Sequence, residues 1–430
     1  MLLIDSMTMD DNAIHEKLQQ FLDKGTLGAE WGASQESMPA DGLPFLDLDA
    51  IAEACQWAGF DAGAISYLQS AAERIASDPV LARLAWHCHH LLCRSKSYRR
   101  GDSGSWPPLE ELLGQWSGAF YLLIALSGLP QARAFHQSRG IPEHIARDTY
   151  SDTFIWASNY RGKQGVWGMY PRALPWLFHH LKGDLFWLVR LEFMQRPFRQ
   201  KLQAFRNRAT RQVMVLAESG TRYRSDGQLD GTGREFDPEG GWTSRLLIDQ
   251  DQVIGTPIHP TGIALREEVA LPLDEWECVL ASGDPILEIH IPAGSPLDLN
   301  SCRASFRLAV DFFPRYFPDR PFKALCCGSW LLNTQFQDML PPNSNIVRFQ
   351  GEFYLYPILS GGRSGLHRIF ESDNQDLATA PRDTTLRRAV LDHLQAGGYL
   401  RGGGGLIFAE DLNRGRQVYQ SRVGTAHRKH

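Results

Sequence analysis

The sequence predicts an α+β protein, in which a helical N-terminal domain is followed by a mixed, mostly antiparallel sheet with flanking helices. Three observations lead there. Residues from about 10 to 180 repeat apolar side chains at three-and-four spacing. Near Leu185 the pattern changes to short extended runs, and Asp284 to Leu332 reads as strand, Gly/Pro turn, helix and strand, one βαβ unit. The expected boundaries are 1–184 for the helical domain, 185–420 for the sheet domain and 421–430 for a frayed polar tail.

The helical spacing predicts helices over Asp11 to Leu22, Leu48 to Trp57, Ala62 to Ala76, Val80 to Leu92 and Pro108 to Leu126. Tryptophans and glycines 162, 165, 168 and 183 mark junctions where backbone approaches backbone. Phe186 to Phe193, Arg211 to Glu218, Trp242 to Asp249, Val253 to Pro257 and Trp276 to Leu280 read as strands. Ile286 to Ile291 is the strand that enters the βαβ unit, Pro292-Ala293-Gly294-Ser295-Pro296 is its turn, and Asp298 is the N-cap of a helix with apolar residues at Cys302, Phe306, Ala309, Phe312 and Phe313. Phe322 to Cys327 is the returning strand. Val347 to Tyr356 and Leu406 to Ala409 complete the sheet around a helix from Thr384 to Gln395, with Gly402 to Gly405 as a turn.

At 430 residues the chain suits two or three domains on a prior of about 150 residues each, of which two is the expected count, with 43% apolar and 22% charged residues as in a soluble globular protein. A net charge of −5 argues against nucleic acid as partner. Seven scattered cysteines argue for a reducing compartment rather than a disulfide framework. The N-terminus has no basic leader, and the most apolar window, Phe120 to Leu129, is too short to cross a bilayer. The chain is therefore expected in the cytoplasm, with no membrane partner. Composition leaves the oligomeric state open.

The first turn of a helix carries N–H groups without intrahelical partners and the positive end of its dipole, so the start near Gly294 could receive phosphate. At these residues the chain resembles a known family. Leu287 to Gly294 (LEIHIPAG), Phe312 to Pro321 (FFPRYFPDRP), Ser329 to Leu332 (SWLL), Pro341 to Phe349 (PPNSNIVRF), Arg401 to Leu412 (RGGGGLIFAEDL) and, more weakly, Arg190 to Phe193 are similar to the two-part bacterial acyltransferases. In that family a helical N-acyltransferase N-terminal domain precedes a GNAT-like C-terminal domain. The resemblance implies an acyl-coenzyme A or acetyl-coenzyme A co-substrate between two splayed parallel strands, acyl transfer to the amine of a small-molecule acceptor, acetyl as the expected group, and no metal. The turn IPAGSP departs from the usual GNAT loop Arg/Gln-x-x-Gly-x-Gly/Ala, since its two prolines lack N–H groups. A non-catalytic GNAT-like module that binds a small molecule or a protein is the alternative.

Amine acyl transfer needs a base for the acceptor's ammonium, which points to Glu288 or His290 on one face of the first βαβ strand, directly or through water. It also needs an acid for the leaving thiolate, which points to Tyr354 or Tyr356; packing is the plainer role for both. The implied cofactor-binding set is Ile291, Ala293, Gly294, Ser295, Asn300, Ser301 and Arg303, with Ser329 and Trp330 near the acyl group. Solvated or satisfied side chains are the competing reading for each. His87, His89, His90 and Cys93 read as satisfied helix residues rather than a zinc site, and Cys326-Cys327 as packing. The basic run from Arg196 to Arg211 reads as a solvated face or as a contact for an acidic group.

Overall fold

The computed structural model describes residues 19, 22–23, 25–370, 376–414 and 418–419. It divides into two compact units, Met1–Trp187 and Leu188–His430.

The first unit is helical. Leu48–Ala58, Ala62–Ala76 and Pro79–His89 each start at an aspartate, Asp47, Asp61 and Asp78, whose carboxylate accepts N–H groups of the first turn. The expected Pro108 to Leu126 helix is broken, into Glu110–Leu113, a 3₁₀ turn and Ser117–Leu126. All ten residues of Ser117–Leu126 are buried, so it is the core helix of the unit. Among the described residues Glu110–Ser138 is long and apolar enough to cross a membrane by length and composition, and 78% of its most apolar window is buried inside the protein. Gly168 lies against Gly118: a Cβ on it would meet the Gly118 backbone at 2.6 Å, a close approach of the kind the glycine pattern predicted. Most of the expected Asp11 to Leu22 helix, and residues 421–430, lie outside the described residues.

The second unit holds fifteen strands with Leu185–Leu188 included: β1 Leu185–Leu188, β2 Leu191–Pro197, β3 Leu202–Asn207, β4 Val213–Ala217, β5 Arg222–Tyr223, β6 Trp242–Thr243, β7 Leu246–Ile248, β8 Gln252–His259, β9 Ile263–Ala264, β10 Val269–Pro272, β11 Trp276–Leu280, β12 Pro285–His290, β13 Ala324–Ser329, β14 Tyr354–Pro357 and β15 Gly403–Ile407. The extended segments do not form one sheet. Six strands run in the order β1-β2-β12-β13-β15-β14, and a second, antiparallel sheet is built on β10-β8-β4-β3-β11. In the first sheet β12 pairs antiparallel with β2, and β15 antiparallel with β13 and β14, whereas β12 and β13 are parallel and joined by the helix Leu299–Tyr316. Ile286, Ala324, Cys326, Tyr354, Tyr356 and Leu406 pack against Leu202, Ala204, Val215 and Ile258 of the second sheet in one core.

Two expected elements are corrected. Asn345–Gln350 is a helix rather than a strand, because Ser344 caps it through the Val347 N–H and its apolar residues at 346, 347 and 349 pack at helical spacing. Gly403–Ile407 is a strand that includes three of the four glycines expected as a turn. A Cβ at Gly403, Gly404 or Gly405 would lie 1.9 Å from the Leu332 carbonyl, 2.0 Å from the Tyr356 ring and 2.8 Å from Phe353, so neighbours fill the space a side chain would take.

Candidate active site

The parallel pair opens near its middle. β12 and β13 pair at Ile286↔Ala324, Leu287↔Leu325 and Glu288↔Cys326. Beyond that point β12 stays paired with β2 as far as His290↔Glu192, and β13 stays paired with β15 as far as Ser329↔Gly403. The facing edges of β12 and β13 past Glu288 and Cys326 are therefore not paired with each other. A cavity of about 360 Å³ lies beside the point where they part, lined by Ile286 and Glu288 of the paired stretch, by Cys327 and Gly328 beyond it, and by Arg196, Arg199 and Tyr356 among others.

Glu288 and His290 share a face, as strand alternation requires, with His290 Nε2 3.5 Å from a Glu288 carboxylate oxygen. That contact holds the Glu288 carboxyl below its usual range against the opposing effect of burial, and the charges of His290, Arg196 and Arg199 act in the same direction. Glu288 is thus an ionised carboxylate in the cavity wall.

The two tyrosines separate. Tyr354 donates its hydroxyl to the Ile258 carbonyl and accepts from the Val215 N–H, so its phenol is committed to the second sheet. Tyr356 lines the cavity, and burial pushes its phenol well above the ordinary value, with Cys326, Cys327 and Glu288 adding to the shift. It is a neutral proton donor at any physiological pH. Burial likewise pushes the Cys326 and Cys327 thiols up, which disfavours a thiolate.

Sequence reasoning did not assign a role to Arg190. Only 7% exposed, it donates to the carbonyls of Pro292 (3.0 Å), Ser295 (2.7 Å) and Pro296 (3.0 Å), and its own N–H donates to Ser305 Oγ at 2.9 Å. Three of the turn's five carbonyls are taken up by one buried guanidinium, while the N–H groups of Ala293, Gly294 and Ser295 donate to no acceptor among the described residues. Gly294 sits at φ +99°, backbone that L side chains rarely adopt. The signal was the Arg190 to Phe193 match, whose arginine stands alone in an apolar run.

The helix start behaves differently from the turn. Asp298 caps it as expected, accepting from the Ser301 N–H and hydroxyl at 2.8 Å each, and these bonds hold its carboxyl below the usual range. An internal carboxylate therefore occupies the anion position there. Arg303 does not stand free for phosphate: it forms a two-pronged pair with Glu352 at 2.9 and 2.8 Å. Asn300 is exposed and Ile291 half-buried. Ser329 caps the turn after β13 through Leu331 N–H, and Trp330 packs edge-on against Phe336 in a satellite core.

The remaining candidates are satisfied. His87 bonds Ser34 and Leu27, His89 bonds Ser127 and His90 bonds Glu30; burial lowers His89 to about 4 and raises Cys93 to about 12. Of the basic run, Arg206 is wholly buried on Asp411 and Glu410 rather than solvated, Arg208 pairs with Glu277 and Arg211 with Glu410. Arg196 and Arg199 remain at the cavity.

A sheet whose parallel pair β12 and β13 parts beside a polar cavity, joined by a helix behind an N–H-bearing turn, is a GNAT-like arrangement. The comparisons agree. Residues 185–407 match the GNAT-like C-terminal domain family and residues 49–183 match the N-acyltransferase N-terminal domain family. The chain belongs to the two-domain acyltransferases that these families define. Similar solved structures include an acyltransferase in complex with CoA and 10C-teicoplanin (TM-score 0.61, 21% identity, 93% of this chain and 100% of that one). An acyltransferase in complex with decanoyl-CoA (0.59, 23%, 93% and 99%) and a variant in complex with octanoyl-CoA (0.60, 22%, 93% and 99%) share the fold. No curated protein sequence matches the chain.

Proposed function

We propose that this protein transfers an acyl group from an acyl-coenzyme A to the amine of a small molecule in the cytoplasm. The observation that carries the reading is the opening of β12 and β13 beside a cavity walled by an ionised carboxylate and a neutral phenol. The coenzyme's pantetheine amides would extend the unpaired strand edges, and its pyrophosphate would meet the N–H groups of Ala293, Gly294 and Ser295. Glu288 accepts the proton of the acceptor ammonium directly or through water, with His290 sharing it across 3.5 Å. The freed nitrogen attacks the thioester carbonyl, the C–S bond breaks as Tyr356 protonates the departing thiolate, and the nitrogen's second proton returns to Tyr356 through water while Glu288 releases the first to solvent. Similar acyltransferases hold octanoyl- and decanoyl-CoA, which supports a chain longer than acetyl; acetyl stands as the short end of the series to test.

The Asp298 cap favours a second reading, a non-catalytic module, because it fills the helix start with a negative charge. Calorimetric titration with acetyl-, octanoyl- and decanoyl-CoA, followed by thiol release with an amine panel, separates the two. Binding with amine-dependent thiol release supports transfer. Binding without release from any ester and amine supports the module, and no binding sinks the coenzyme reading.

A further inference from the structure

A second cavity, of about 410 Å³, lies in the C-terminal unit and is lined by Arg234, Gly361, Gly362, Arg363, Tyr399 and the leucines 366, 377, 394 and 400. Its place follows from strand register. Ser329 and Pro357 both pair with Gly403, so the C-terminal ends of β13 and β14 and the start of β15 lie at one end of the sheet. Gly361 to Arg363 follow β14, and Tyr399 and Leu400 precede β15. The cavity therefore sits at the end of the sheet toward which β12 and β13 part. Its leucine wall shares a core with Trp330, the residue after β13.

The two arginines reach it from far apart in the sequence. Arg234 arrives on the turn Thr232–Arg234, which is tied to the segment after β14 by Gly233 N–H to the Ser360 carbonyl (2.7 Å) and Thr232 Oγ1 to the Ile358 carbonyl (2.9 Å). Its backbone is left-handed at φ +65°, costly for a residue with a side chain. Arg363 opens the helix Arg363–Phe370. Both side chains are exposed, and no ion pair or hydrogen bond engages either guanidinium among the described residues. The nearby charges cancel one another: Arg224 pairs with Asp226 and Glu235, and Arg401 with Asp226. Among the described residues neither guanidinium has its charge offset by a pair. Around them stand exposed apolar side chains, Tyr399 at 50%, Leu359 at 69% and Phe236 at 73%, the last two both close to Gly231 in the Arg234 turn.

We propose that this cavity is an acceptor subsite, in which Arg234 and Arg363 hold a carboxylate and the leucines and Tyr399 hold an aromatic or alkyl body. The inference rests on the acyl-transfer reading for its word acceptor and narrows the substrate to amphipathic amines bearing a carboxylate. Planar guanidinium groups suit a carboxylate through paired N–H donors. The volume is that of an ordinary small-molecule site.

The test titrates the full-length protein with indole-3-propionate and with the uncharged indole-3-propanol, and separately with octanoyl-CoA and octanoyl-dephospho-CoA. The expected result is saturable binding of the carboxylate, about tenfold or more weaker binding of the alcohol, and a similar loss in Arg234→Gln and in Arg363→Gln, as for removal of one charge-assisted contact. Coenzyme binding should be unchanged in both variants. Arg234→Gly, which relieves the left-handed backbone, should keep or raise Tm while losing the carboxylate, so misfolding cannot account for the loss. Equal affinity for acid and alcohol, unaffected variants, or no saturation by the acid at millimolar concentrations each overturns the proposal. So does a loss of octanoyl-CoA but not octanoyl-dephospho-CoA binding in the variants, which would assign the arginines to the coenzyme's 3′-phosphate. Carboxylate binding in a protein that takes up no coenzyme would sustain the anion site and remove the acyl-transfer reading.

Discussion

Replacing Arg190 by methionine should uncouple the turn that would receive the coenzyme. The side chain makes three charge-assisted bonds, each worth ~1.5–3 kcal/mol where water cannot compete. Ser295 and Pro296 are exposed, so water can reclaim their carbonyls, and the buried Pro292 carbonyl bears most of the loss. Together these give a destabilisation of about 3 kcal/mol, which in a unit of this size lowers Tm by about 6–12 °C. Binding should suffer separately. Once the carbonyls are released, Ala293 to Ser295 must be ordered at the moment of binding, at about 1–2 kcal/mol per residue of backbone entropy, and even part of this weakens octanoyl-CoA tenfold to a hundredfold. Calorimetry and differential scanning give both numbers, and kinetics should show a raised KM for the acyl donor with kcat little changed. An Arg190→Met protein with unaltered Tm and unaltered coenzyme affinity would refute the idea that this guanidinium fixes the turn.

Glu288→Gln should lower turnover about a hundredfold if Glu288 is the base, and His290→Ala should do the same if His290 is. Since the Glu288 carboxyl is held below its ordinary 4.5, the wild-type acid limb should fall below that pH; its contribution to stability is complete above the unfolded value and lost as pH drops through the folded one, so pH-dependent melting of wild type and Glu288→Gln should converge in acid. Tyr356→Phe should reduce kcat with Tm nearly kept, whereas Tyr354→Phe should leave the Ile258 carbonyl and Val215 N–H without their partner and cost about 1–3 kcal/mol in denaturant melts. Asp411→Ala strands part of the charge of the fully buried Arg206, which keeps Glu410, and should cost about 3 kcal/mol of stability.

Helices such as Leu48–Ala58, Ala62–Ala76 and Pro79–His89 and the βαβ unit were legible because each is written locally, in an aspartate cap, three-and-four apolar spacing or a β-branched run before a Gly/Pro turn, whereas the expected single helix from Pro108 to Leu126 breaks at a 3₁₀ turn. The sequence misled where distant residues decided. Val347 to Gln350 is β-branched and apolar enough for a strand, yet Ser344 and the satellite core make it helical. Gly402 to Gly405 has the composition of a turn, and only the Tyr356 and Phe353 rings and the Leu332 carbonyl explain why β15 uses glycine. The division of the extended segments into two sheets was not legible either, since alternation does not say which strand pairs with which. At the site, sequence placed Glu288 and Tyr356 among the candidates but could not rank Tyr356 above Tyr354, because the two share a face and differ only in what lies across from each hydroxyl.

Engagement of neighbouring groups also decides where the negative charge of a coenzyme would go. A helix start is the usual place, but here Asp298 takes the Ser301 N–H internally and keeps its own charge at that end, so a second anion there would be repelled. The preceding turn has the complementary arrangement: three of its five carbonyls, those of Pro292, Ser295 and Pro296, are drawn onto Arg190, and three consecutive N–H groups find no acceptor among the described residues. A backbone with its acceptors satisfied and its donors free is itself an anion cradle. The two prolines of IPAGSP, which counted against phosphate binding on donor number alone, flank those three residues and do not interrupt them. The phosphate position would follow from which backbone groups are already engaged, and in this chain one buried arginine and one capping aspartate would move it from the helix to the turn.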